Sequence, residues 1–128
     1  MFVIRKEQRR SLSQPLQQRF VERLRLYLRE HFANWVDKLQ EEELRAWVQR
    51  SLAKSLHYGV HFEPEAAQLI LLFLLLGQNA DQSLPWVKEV LADAELEAVG
   101  KVRRLIALSH EHKIEGIDEV VVNPDMEA

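Results

Sequence analysis

Eight consecutive apolar residues, Leu69-Ile70-Leu71-Leu72-Phe73-Leu74-Leu75-Leu76, stand between Pro64 and Gly77 with no polar position among them. A helix with water on one side shows polar residues every three to four positions. This stretch therefore predicts a helix over residues 64–76 that is covered on nearly all sides, by the rest of the chain or by a second protein. Pro64 suits a first helical turn, Glu65 the dipole at that end, and Gly77 the stop. Upstream, Leu16, Phe20, Val21, Leu24, Leu28 and Phe32, with Tyr27 beside them, recur at spacings of three and four. That spacing predicts an amphipathic helix to about His31, opened by Ser13 or Gln14 and by Pro15. Its other face carries Arg19, Arg23, Arg25 and Arg29, with Glu22 and Glu30 interspersed.

The pattern breaks at Ala33-Asn34-Trp35 and resumes near Gln40. Leu44, Trp47, Val48, Leu52 and Leu56 form the next buried stripe. Glu41, Glu42 and Glu43 sit in its first turn, and Gly59 is placed for a left-handed C-terminal cap. Val60-His61-Phe62 reads as a link to the apolar helix, and residues 78–83 as a polar loop. Pro85 starts a helix through Trp86, Val87, Val90 and Leu91. Asp93 is placed to cap a further one, with Leu96, Val99, Val102, Leu105, Ile106 and Leu108 inward, ending near His112. At the start, Phe2-Val3-Ile4 reads as extended and residues 5–12 as helix-compatible. The whole predicts one all-α domain, residues 1–113. It would be a compact bundle of four to five short helices around 64–76, with residues 114–128 an extended or disordered tail.

The 128 residues, 47% apolar and 29% charged, fit one soluble domain. Four Gly and four Pro are too few for an all-β fold rich in tight turns. The absence of Cys excludes disulfides, thiolate metal sites and Cys nucleophiles. Only Phe2, Val3 and Ile4 precede the first charges, so the start does not resemble a cleavable signal, and the apolar run is too short to span a bilayer. The expected location is cytoplasmic. The net charge of −3 hides an asymmetry: residues 1–60 hold 12 Lys/Arg and 7 Asp/Glu, hence +5, whereas residues 61–128 hold 5 and 13, hence −8. The halves are expected to attract each other within the fold, or else to present a basic and an acidic face to two partners.

Little in the chain suggests catalysis. His57 and His61 stand four apart, as two ligands on one helix face would, but Gly59 lies between them and no convincing third ligand follows. His110 and His112 point to different sides of a helix, where the C-terminal dipole favours them. Consecutive Glu41, Glu42 and Glu43 diverge around a helix instead of converging on a substrate. The serines lack a nucleophile elbow, and no Gly-rich phosphate loop is present. No enzymatic activity, metal or cofactor is expected. Of the three tryptophans, Trp47 is in register with the core and Trp86 should fix a turn against it. Trp35, in a polar connection, is either folded back on the core or the candidate anchor for a partner. With Arg19, Arg23, Arg25 and Arg29 it makes a candidate partner-binding ridge. The competing reading of those arginines is a solvated face laced with ion pairs.

Several segments resemble a family of small helical bacterial proteins encoded beside type VI secretion toxins, spike proteins and effector-adaptor chaperones. They are the opening MFVIRKEQ, the phrase LREHF ending the first long helix, EEELRAWVQRSLAKSLHYGV, LLFLLLG and PWVKEVLAD. Together they span about residues 1–93. The chain departs from the family at Ala33-Asn34, where a Pro is expected after the Phe, and after His112. The resemblance implies a non-enzymatic accessory protein or co-chaperone acting on a secreted effector or its adaptor. Its partner would be another protein, with no membrane partner; nucleic acid is disfavoured and homo-oligomerisation stays open. The alternatives are a cognate immunity protein that occludes a toxin's active site and a small nucleic-acid-binding regulator.

Overall fold

The computed structural model describes residues 12–120; Phe2-Val3-Ile4, residues 5–11 and residues 121–128 lie outside the described residues. The fold is all-α. Its helices are α1 (Gln14–His31), α2 (Ala33–Val36), α3 (Glu41–His57), α4 (Glu63–Leu76), α5 (Ala80–Ser83), α6 (Pro85–Ala92) and α7 (Ala98–Glu111), followed by a 3-10 turn at Ile117–Glu119. The five longer helices are those predicted from periodicity. The single-turn helices α2 and α5 occupy stretches that the pattern left as connections.

Local chemistry accounts for most of the boundaries. Pro15 lies in the first turn of α1, and Ser13 holds the N-cap position without a side-chain cap bond. At α3 the carboxylate of Glu43 accepts the Gln40 backbone N–H at 2.8 Å, satisfying a donor that the helix leaves open. Gly77 ends α4 with φ +109°. Asp93 acts differently from the expected helix cap. Its Oδ1 accepts the N–H of Glu95 at 2.9 Å, closing a turn, and α7 begins only at Ala98.

The apolar helix α4 packs against α3 on one flank and α7 on another. Leu69, Ile70, Leu71, Leu72 and Phe73 are buried, whereas Leu74, Leu75 and Leu76 at its C-terminal end are half-buried. The covering asked for by the run is thus supplied largely from within the chain. Phe20, Leu24, Leu28 and Phe32 of the α1 stripe and Leu44, Val48 and Leu52 of α3 join the same core. The described part of the expected tail, residues 114–120, is folded against this core, with Ile117 and Val120 buried. Gly116 makes that closure at φ +87°. A Cβ there would come within 2.9 Å of the Trp35 ring and 3.0 Å of Leu75. No described helix is long and apolar enough to cross a membrane.

Candidate interaction surfaces

The predicted cationic ridge is not a free ridge. Arg29 extends from α1 beneath the following connection, where its Nη1 donates to the Val36 carbonyl at 2.6 Å and its Nη2 to the Leu39 carbonyl. Its Nε donates to Glu41 at 2.8 Å, and Arg25 donates to the other oxygen of the same carboxylate. Arg45 on α3 reaches back to Glu22 on α1 with bonds of 2.9 and 3.0 Å and to Glu42 at 2.6 Å. The Arg45 and Arg25 guanidiniums hold the Glu22 carboxyl down to about 2. These contacts tie α1, α2 and α3 into one frame. Arg23 lies 3.6 Å from Glu63, and Arg19 is exposed. Of the two places open to Trp35, the structure shows the one folded back on the core. It is half-buried, its ring 5.5 Å from that of Phe32, and it packs against the core beside Gly116. The sequence showed the arginines at the right spacing but not the carboxylates and carbonyls that face them.

Periodicity gave no hint of the polar network between α3 and α5. The Asp81 carboxylate is nearly fully buried, with 3% of its side chain exposed. Lys54 Nζ donates to it at 2.7 Å and the Tyr58 hydroxyl at 2.6 Å. Lys54 also donates to the Gln78 carbonyl at 2.7 Å, and Gln78 Nε2 donates to Ser51 Oγ at 2.8 Å and the Trp47 carbonyl at 3.0 Å. Burial alone would raise the Asp81 pKa, but Lys54 and Tyr58 outweigh it and the net shift is downward. Burial, with help from Asp81, pushes the Tyr58 hydroxyl up to about 12. Each buried polar group here has a partner, as interior polar groups require. The arrangement locks the α4–α6 connection onto α3. The only advance signal was a Lys, a Tyr and an Asp within stretches that otherwise looked like surface.

Histidines do not gather. His57 ends α3 with its ring edge-on to Tyr58, His61 lies in the link beside Phe62, and His110 is 3.7 Å from Asp118. Among the described residues no group of three or more His, Asp or Glu is placed to hold a metal ion.

Several open grooves mark the described surface, among them the following two. One, of about 260 Å³, runs between α1 and α3, with Val21, Leu52 and Leu56 in its floor and Gln14, Gln18 and Gln49 along its walls. No titratable side chain lines it. The other, of about 370 Å³, lies between α6 and α7 and is lined by Trp86, Glu89, Val90, Asp93, Arg104 and Leu108, among others. Comparison of the chain with known protein families, curated proteins and solved structures finds no match.

Proposed function

We propose that this protein is a non-enzymatic interaction module whose docking site is the α1–α3 groove. The groove itself carries the reading: an apolar floor between two long helices, walled by neutral amides and free of acids, bases or nucleophiles. Such a site can accept the apolar face of a partner helix while glutamine amides hydrogen-bond its flanks. It offers nothing that would move a proton or hold a charged substrate. The family resemblance supplies the setting, an accessory protein or co-chaperone acting in the cytoplasm on a type VI secretion effector or its adaptor. The engagement of Arg25, Arg29 and Arg45 in α1–α3 pairs weighs against a phosphate-tracking stripe. A cognate immunity protein is the second reading, favoured by exposed carboxylates at Glu89, Asp93, Glu95 and Glu97, which could mimic phosphates before a nuclease toxin.

The test is co-expression with a type VI secretion toxin and its adaptor, using the parent chain and Ala53→Arg. Ala53 is exposed at the groove, and arginine is a good helix former, so the substitution should fill the groove and leave the fold standing. The expected result is that the parent raises toxin loading onto its spike or adaptor without protecting the cell, and that Ala53→Arg loses this effect. Protection without a change in loading would establish the immunity reading instead. An Ala53→Arg protein that loads toxin as well as the parent would remove the groove from the function.

A further inference from the structure

We propose that the groove between α6 and α7 binds a cationic amphipathic segment of a partner protein, at a surface separate from the α1–α3 groove. Val90 and Leu108 give the groove an apolar interior, and Trp86 forms part of its lining. The Trp86 ring is stacked on His112, with centroids 4.6 Å apart and planes 12° from parallel. An aromatic already held in place loses little freedom when a partner docks, which is the property of an effective anchor.

Charge selects the occupant. Two carboxylates, Glu89 and Asp93, line the groove against one guanidinium, Arg104. Glu89 and Arg104 are exposed and form no ion pair among the described residues. The turn closed by Asp93 continues into Glu95 and Glu97, both exposed. An apolar interior with a net acidic rim fits a segment that alternates aliphatic and Lys or Arg side chains. An acidic or neutral one would leave the rim uncompensated.

The experiment titrates the full chain with a short labelled Leu/Lys peptide of helical periodicity, and with its Leu/Glu counterpart, at low and moderate salt. Anisotropy reads binding, and thermal melts confirm that each variant is folded. The Leu/Lys peptide should bind, more weakly as salt rises, and the Leu/Glu peptide should not. Glu89→Lys should weaken binding about tenfold at low salt. Arg104→Glu should tighten it, a direction that mere damage to the fold would not produce. Ala53→Arg should leave it unchanged, so failure here is distinguishable from failure of the α1–α3 assignment. Equal binding of both peptides, no binding of either, or indifference to both charge reversals would overturn the proposal. Salt-sensitive self-association abolished by Glu89→Lys would assign the groove to a second copy and overturn it as well.

Discussion

Arg29 makes contacts to α2, to the connection after it and to α3, from a helix position that the heptad-like spacing marks as outward. Its guanidinium satisfies the carbonyls of Val36 and Leu39 while holding Glu41. Carbonyls near the end of a short helix lack helical partners, so a planar fork of donors is well suited to them. Arg29→Ala should therefore lower stability by about 1.5–3 kcal/mol, the range for hydrogen bonds to a charged group. Arg19→Ala, on an exposed residue of the same helix, should change it by less than about 0.5 kcal/mol. Arg29→Lys should recover only part of the loss, because an ammonium cannot span both carbonyls and the carboxylate in one plane. Urea denaturation of the three variants checks this; equal midpoints for Arg19→Ala and Arg29→Ala would mean that the clamp contributes nothing. Residue spacing alone could place these arginines on one side of α1. It could not show that Glu41 would arrive from α3, since that depends on the turn through α2.

Among the elements, α4 was the most legible and α2 and α5 the least. Two or more turns of apolar spacing, or an unbroken apolar run, leave a signal that no single turn can. A four-residue helix forms only because its neighbours hold it, since an isolated turn does not outweigh its nucleation cost. The same reasoning explains residues 114–120. Ile114, Ile117 and Val120 are too few to show a period, yet each finds apolar surface once Gly116 lets the chain pass close to Trp35 and Leu75. The burial gradient along α4 can be tested directly. Leu72→Ala, at a fully packed site, should cost about 2–5 kcal/mol. Leu76→Ala, half-buried at the helix end, should cost about 1 kcal/mol or less. If Leu72→Ala melts like the parent and only partner binding suffers, the run is an interface and its burial here misstates its role.

At the scale of the whole molecule, Arg25, Arg29 and Arg45 pair with carboxylates of their own basic half, which leaves its net charge unchanged, while Arg23–Glu63 and Lys54–Asp81 join the halves. That distribution sets a pH window for the fold. Glu22 and Asp81 both titrate below their ordinary values when folded. A depressed carboxylate contributes stability that is present above its unfolded pKa and is lost as pH falls through its folded one. For Glu22, lowered from 4.5 to about 2, the loss runs between those two values, muted because the side chain is partly exposed. Tyr58 works in the opposite sense. Its folded pKa is raised from 10.0 to about 12, so its contribution is complete below pH 10 and disappears as pH climbs toward 12. Tyr58→Phe removes the hydroxyl that donates to buried Asp81 and should lower stability at neutral pH by about 1–3 kcal/mol, the cost of leaving that acceptor short of a donor. It should also flatten the decline between pH 10 and 12 relative to the parent, while both proteins still weaken below pH 4.5, the parent more steeply because Tyr58 helps to hold the Asp81 carboxyl down. Urea midpoints of the two proteins across that range decide it. Parallel alkaline declines would show that Tyr58 does not carry the upper limb and that the α3–α5 lock rests on the bonds of Lys54 and Gln78.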